Sequence, residues 1–225
     1  MSKTWFVTGT DTGVGKTAVS CALLVAAARA GLRTAALKPV AAGCDAAGRN
    51  EDALSLMACS TDVLDYAQVN PVALREPVAP HIAARLEGRQ MQAARLAGVC
   101  RGAMTGGADF MLIEGAGGWR VPINPRETLA DLAVQLQAGV ILVVGMRLGC
   151  INHALLTAEA ILGDGLQLAG WVANQPGTRM DRHEENLDSL QYLITAPLLG
   201  EIPFLPVWRA EEAAGYLNLE ALITK

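Results

Sequence analysis

The sequence predicts an α/β fold, a mostly parallel central sheet with helices on both faces. Short β-branched or aliphatic runs alternate with longer stretches of helical period, and each strand-like run is bordered by Gly, Pro or Asp. That alternation is the rhythm of a parallel sheet. Several of the runs are also apolar on both faces, as strands buried between two layers of helices are.

In chain order, the first strand is read over 5–8 and feeds a glycine-rich turn, and the Ala-rich helix over 16–30 that follows is stopped by Gly31. A strand over 34–38 ends where Pro39 bars its continuation. The segment 41–48, rich in Gly and Ala with few apolar anchors, is expected to be a mobile active-site loop. Helices are expected over 51–58, where Glu51 and Asp52 suit a first turn, and over 81–86 and 91–104. Phe110-Met111-Leu112-Ile113-Glu114 is an apolar strand that ends on a carboxylate. A helix over 128–136, a strand over 140–145, a helix over 152–162, a strand over 168–174, a helix over 181–194 and a strand over 198–202 complete the series. No repeat, low-complexity tract or Ser/Pro linker interrupts it, so a single domain over 1–225 is expected.

Composition narrows the function. With 52% apolar and 18% charged residues among 225, the chain can fill a sizeable core. Its net charge of −4 argues against nucleic acid or an anionic membrane as a constitutive partner, so any anion must be gripped locally. The longest unbroken apolar run, 21–28, falls well short of the ~20 residues needed to span a bilayer. Ser2-Lys3 leads into a strand-like run rather than a signal peptide, and a cytoplasmic protein is expected. Cys21, Cys44, Cys59, Cys100 and Cys150 are odd in number and scattered, which indicates neither a disulfide framework nor a thiolate metal site.

The most informative stretch is Gly9-Thr10-Asp11-Thr12-Gly13-Val14-Gly15-Lys16-Thr17, set between an apolar strand and a helix. Such a turn aims backbone N–H groups and the positive end of a helix dipole at one spot, where a triphosphate can sit. Lys16 then neutralises the β- and γ-phosphates, and the Thr17 hydroxyl is a ligand for Mg2+. The fold class sharpens to P-loop NTPase-like. One departure stands out: the usual pattern has glycine where this chain has Thr10, and Gly9 lies one residue earlier.

Glu114 ends its strand beside this crevice, where an acidic metal ligand is wanted, and Gly115-Ala116-Gly117-Gly118 follows with exposed N–H groups. Asp52 is open to two readings, as metal ligand or as a first-turn acid. Lys38, at the C-terminal end of the second strand, sits where open α/β sheets bind ligands, although a lysine there also simply reaches solvent in many proteins.

The phosphate loop, Lys38-Pro39-Val40-Ala41-Ala42-Gly43, Glu114-Gly115-Ala116-Gly117-Gly118-Trp119 and Leu148-Gly149-Cys150-Ile151-Asn152-His153 together resemble the dethiobiotin synthetases, in order and spacing, over nearly the whole chain. The resemblance implies a reaction in which 7,8-diaminononanoate, CO2 and MgATP give dethiobiotin, ADP and phosphate. By the same resemblance, Lys38, Lys16 and Thr12 are catalytic, with Thr12 at the substrate's reacting end. Thr17, Asp52 and Glu114 hold Mg2+. Gly13, Val14, Gly15, Lys16 and Thr17 cradle the phosphates, beside Gly115, Ala116 and Gly117. Asn174 and Gln175 read adenine, with Pro203, Phe204 and Leu205 in the purine pocket, although an amide at position 174 also suits a plain strand-end turn. The substrate is expected to meet Lys38, Ala42 and Gly118, and its carboxylate to meet Gly149, Cys150, Ile151 and Asn152 across a homodimer interface.

Two departures concern Gly13, which is glutamate in some members, and Ala42, where many members carry a serine that touches the substrate. His81, His153 and His183 are not spaced as ligands of one metal, and Trp5, Trp119, Trp171 and Trp208 are expected to pack the core or rim. Rival readings are weaker. A partitioning or septum-positioning ATPase has a second lysine where this chain has Asp11, which bears the wrong charge. A cobyrinic-acid amide synthase adds a glutaminase domain for which 225 residues leave no room. A non-enzymatic nucleotide-binding module has no use for Lys38 beside a phosphate site.

Overall fold

The computed structural model describes residues 3–223, so Ser2 lies outside the described residues. The chain runs β1 Lys3–Gly9, α1 Lys16–Arg29, β2 Thr34–Leu37, β3 Val40–Ala42, α2 Glu51–Cys59, α3 Tyr66–Val69, β4 Val72–Leu74, α4 Pro80–Leu86, α5 Ala93–Met104 and β5 Phe110–Glu114. It continues with α6 Leu129–Leu136, β6 Gly139–Gly145, α7 Cys150–Gly163, β7 Leu168–Asn174, α8 His183–Leu193, β8 Leu198–Ile202, α9 Ala210–Ala213, a 3-10 turn at Ala214–Tyr216 and α10 Glu220–Ile223. Every predicted strand and helix is present, with ends displaced by no more than about two residues.

Six strands form one parallel sheet in the order β2-β5-β1-β6-β7-β8. Its two faces bury separate apolar clusters. Phe6, Met111, Ile113, Leu142 and Trp171 point to one, and Val7, Leu112, Ile141, Val143 and Val172 to the other. Alternate residues therefore serve opposite faces, which is why these strands read as continuous apolar runs. Both layers clamp the strands, so their C-terminal ends are stiff platforms for the loops that follow.

Register decides which residues meet there. Val7 lies opposite Glu114, two residues before β1 gives way to the phosphate loop. Leu37 lies opposite Ile113, so Lys38 emerges beside Glu114. β1 is the strand from which the chain departs in both directions, and its neighbours β5 and β6 flank the crevice where ligands bind in such sheets.

The segment 41–48 corrects an expectation in part. Its first two residues belong to β3, which pairs in parallel with β4 outside the main sheet, Val40 to Val72 and Ala42 to Leu74. Ala41 is buried there. Three-residue strands whose partner lies some thirty residues away leave no local period to read. The remainder, 43–48, is turn and irregular backbone. Among the described residues, no helix is long and apolar enough to cross a membrane.

Candidate active site

The phosphate loop folds as its residues require. Gly13 and Gly15 adopt φ of +74° and +84°, the left-handed region that glycine enters without steric cost. A Cβ on Gly15 would also lie 2.3 Å from the Asn174 amide nitrogen. The unusual Thr10 explains itself in the structure: its N–H donates to the Val143 carbonyl at 3.0 Å, and its hydroxyl accepts from the Gly145 N–H at 3.3 Å. The close approach falls on Gly9 instead, where a Cβ would meet Val14 at 2.6 Å. Lys16 donates to the Asp11 carbonyl at 3.2 Å, and burial, followed by the nearby Lys38 ammonium, lowers its pKa to about 8. The Asp11 carboxylate accepts from the Thr12 N–H at 2.7 Å and pairs with Arg147; that N–H and the guanidinium outweigh a slight burial penalty and hold its pKa below the ordinary value.

Lys38 is the centre of the site. Its side chain is 3% exposed, and its ammonium lies 2.6 Å from Glu114, 2.9 Å from Asp52 and 3.1 Å from the Gly115 carbonyl. Burial alone would lower the pKa of this lysine, but the two carboxylates outweigh it and hold the pKa above the ordinary value. Asp52 shows the converse balance, burial opposing and Lys38 prevailing, with Thr17 assisting, so its carboxyl stays below the usual range. Glu114 is wholly buried, and its other contacts are the Thr17 hydroxyl on one oxygen and the Ser20 hydroxyl on the other, both at 2.7 Å. A buried carboxylate with both oxygens engaged is held in one orientation.

A cavity of about 770 Å3 opens over this cluster. Of the residues singled out from the sequence, Thr12, Gly13, Gly15, Lys16, Thr17, Lys38, Ala42, Asp52, Ala116 and Gly117 line it. Glu114 and Gly115 stand behind the wall, in contact with Lys38. Thr17, Asp52 and Glu114 offer a hydroxyl and two carboxylates, a set of hard oxygen donors that suits Mg2+. Sequence reasoning missed Ser20, Asn50 and Arg120, the last two in the cavity lining. A signal existed for two of them: Ser20 lies one helical turn beyond Thr17 on the same face, and Asn50 has the residue type and position of an N-cap before α2.

The remaining predicted residues lie elsewhere. Asn174 is buried with its amide nitrogen spent on the Val14 carbonyl at 2.8 Å, so this group braces the phosphate loop. Gln175 is buried beside it, and Phe204 is 51% exposed; with Pro203 and Leu205 they do not line the cavity. Gly118 packs on the phosphate loop, where a Cβ would stand 3.5 Å from the Gly9 carbonyl. Gly149, Cys150, Ile151 and Asn152 form the start of α7, also outside the cavity, and the Cys150 N–H already donates to Arg147 at 2.9 Å. His183 is buried with its Nε2 2.6 Å from Glu201, and the Trp119 ring packs edge-on against Phe6.

The AAA domain family model matches residues 3–212. The chain is 57% identical to the ATP-dependent dethiobiotin synthetase BioD of Cellvibrio japonicus, the alignment covering 98% of each chain. It is 51% identical to ATP-dependent dethiobiotin synthetase BioD 1 of Escherichia coli O157:H7, over 99% of this chain and 100% of that one. Among solved structures, the septum site-determining protein MinD of Pyrococcus horikoshii, complexed with Mg-ADP, superposes with a TM-score of 0.57 at 17% identity, over 100% of this chain and 90% of that one. The chloroplast FtsY of Physcomitrella patens gives 0.56 at 18% identity; the match takes in 99% of this chain but 65% of that longer one. These two likenesses establish the P-loop NTPase-like fold. Identity above one half over nearly full length settles the closer kinship, and the chain belongs to the ATP-dependent dethiobiotin synthetase family.

Proposed function

We propose that this chain, read as one P-loop domain, catalyses the ATP- and Mg2+-dependent carboxylation and ring closure of 7,8-diaminononanoate with CO2, giving dethiobiotin, ADP and phosphate in biotin biosynthesis. The observation that carries the reading is a lysine ammonium, that of Lys38, buried between two carboxylates on the wall of the cavity into which the phosphate loop opens.

The chemistry asks for such a group. One amine of the vicinal diamine takes up CO2 as a carbamate and releases a proton. The carbamate is a poor electrophile until its oxygen attacks the γ-phosphorus and expels ADP. In the resulting carbamic-phosphoric anhydride, the second amine attacks the carbonyl carbon, phosphate leaves, and a five-membered cyclic urea closes. The protein's part is to hold the reactants in line and to offset the charge that develops on transfer. We assign the β- and γ-phosphates to Lys16 and the N–H groups of 13–17, and the carbamate and its phosphorylated form to Lys38. Thr12 and Ala42 flank the reacting end. Mg2+, when bound by Thr17, Asp52 and Glu114, supplies positive charge beside the phosphate oxygens.

For the two ligand ends, we assign adenine to Asn174, Gln175 and residues 203–205, with the N–H groups of Gly115, Ala116 and Gly117 facing the nucleotide. We assign the substrate carboxylate to Gly149, Cys150, Ile151 and Asn152 of a second copy in a homodimer, with Gly118 on the substrate side. Support for the dimer comes from Leu148, 92% exposed just before α7, and Leu156, 58% exposed within it. Five free thiols suit a reducing, cytoplasmic location. Incubation with 7,8-diaminononanoate, bicarbonate and MgATP, followed by mass spectrometry, is expected to show the cyclic urea with matching ADP; phosphate release without that product overturns the assignment.

A further inference from the structure

Lys38 follows β2 and Asp52 lies in the first turn of α2, fourteen positions apart, yet their charged groups lie 2.9 Å from each other. A chain of hydrogen bonds that starts at Asn50 on the cavity wall and runs behind it connects their backbones. The Asn70 side-chain nitrogen donates to the Lys38 carbonyl at 2.6 Å, and the Lys38 N–H donates to the Val69 carbonyl at 2.8 Å. The Tyr66 hydroxyl donates to the Asn70 side-chain oxygen at 3.0 Å and accepts from the Asn50 N–H at 2.8 Å. Asn50 in turn caps α2, its side-chain oxygen accepting from the Asp52 and Ala53 N–H groups at 3.1 and 3.3 Å. Asn50 and Asn70 are 7% and 3% exposed, so neither can exchange these partners freely for water.

We propose that Tyr66 is a positioning residue for the reaction assigned above, its hydroxyl fixing the separation of Lys38 and Asp52 by tying the cap of α2 to the backbone of Lys38. The inference rests on the roles given to those two residues under the proposed function. The ion pair between them cannot do this work throughout the cycle. When a carbamate or a transferring phosphoryl group competes for the Lys38 ammonium, and a metal for the Asp52 carboxylate, the contact between the two weakens. The relay uses backbone groups and neutral side chains, and keeps its geometry whatever the charged ends are doing.

The carrier of Tyr66 is built for rigidity. Its helix, α3, has four residues and opens with a capping box in which Asp65 and Gln68 bond each other's backbone N–H groups. The Arg49 guanidinium lies 5.1 Å from the centre of the Tyr66 ring, and burial pushes the phenol above its ordinary pKa, so it keeps the proton it donates to Asn70. A packing role alone would need the ring and not the hydroxyl.

Tyr66→Phe in the full chain tests this, with Asn70→Ala as a second variant that removes the donor to Lys38. Both are measured for kcat, for KM of MgATP and of the diamine, and for melting temperature. The expected result is a fall in kcat of about tenfold with either KM changed by less than about twofold, since misplacing reacting groups costs rate more than binding. In an Asp52→Asn background, Tyr66→Phe is expected to cost less than about a further twofold, because the group it positions is already impaired. Wild-type kcat in Tyr66→Phe, or an equal fold-loss in both backgrounds, overturns the positioning role. Absence of dethiobiotin from the wild-type enzyme overturns the reaction itself, and the two failures are therefore distinct.

Discussion

The two ends of the sheet's C-terminal edge are built on opposite plans. Where β1, β2 and β5 end, the charged groups are sealed and mutual: Lys38 and Glu114 are almost wholly buried, and each is held by partners within the chain. Where β6 and β8 end, the following segments are open, with Leu148 92% and Phe204 51% exposed. The difference teaches which tasks the fold completes by itself. Charge that develops during a reaction must be met by groups already in place, since reorganising them at that moment would cost as much as the barrier they lower. Under the proposed assignments, the distant ends of nucleotide and substrate need only be recognised, a task that exposed segments can serve once a ligand or a second copy covers them.

The strongest attack on the sealed end is Lys38→Ala, for which kcat is expected to fall by about two to three orders of magnitude, as for loss of a preorganised donor. ATP affinity should be nearly unchanged, because Lys16 and the loop remain. The same substitution leaves Glu114 buried without its counter-charge, which costs about 3–5 kcal/mol in comparable sites. Stability and catalysis can be separated with Lys38→Met combined with Glu114→Gln. That pair removes both charges, so melting temperature should recover relative to Lys38→Ala while turnover should not. A double variant with restored turnover would sink the catalytic role of Lys38.

The open end should fail differently. Leu148→Asp places a charge on the exposed leucine beside the start of α7, and is expected to weaken self-association and lower activity about tenfold at nanomolar enzyme. Activity should rise with enzyme concentration, as measured by turnover alongside sedimentation, while ATP binding to the separated chain stays intact. Concentration-independent kinetics would show that the site is complete within one chain.

The contrast also explains what the sequence displayed and what it hid. Buried strands and long amphipathic helices announce themselves through local period, and the phosphate loop through glycines set between a strand and a helix, two of them in the left-handed region that glycine enters without steric cost. Glu114 was legible because a carboxylate ends an apolar strand, and Ser20 shares a helix face with Thr17, but the bond between Ser20 and Glu114 depends on how α1 packs against β5, which is non-local. Asp52 and Lys38 could each be singled out, yet their contact depends on register between β2 and β5 and on the approach of α2, both of which are non-local. β3 and β4 stayed hidden for the same reason. The relay through Asn50, Tyr66 and Asn70 joins three separated stretches with ordinary polar residues, and nothing in their spacing sets them apart.

A smaller effect comes from pH at the sealed end. The folded pKa of Lys16 is lowered to about 8 from an ordinary value of 10.5, so burying its charge opposes folding below pH 8 and the penalty fades as pH rises through the window between the two values. Nucleotide binding favours the charged form. At pH 8.5, ATP binding is therefore expected to take up a fraction of a proton, measurable by calorimetry in two buffers of different ionisation enthalpy, and KM for MgATP should rise severalfold between pH 7.5 and 9.5, an effect on the order of one pKa unit. No proton uptake would mean that phosphate and Lys16 do not meet.

The mildest test lies on the cavity wall of the sealed end. Ala42 ends β3 on the cavity wall, and its carbonyl accepts from the Asn50 side chain at 3.4 Å. Ala42→Ser adds a hydroxyl to a surface already held in place. A neutral hydrogen bond nets about 0.5–1.5 kcal/mol, part of which goes to ordering the new group, so KM for the diamine should fall about twofold. Because the hydroxyl meets the substrate before and during transfer alike, kcat should stand. A large loss of kcat would mean that position 42 bears on the reacting atoms, and that the division between a charge-handling floor and a permissive wall runs through a different residue.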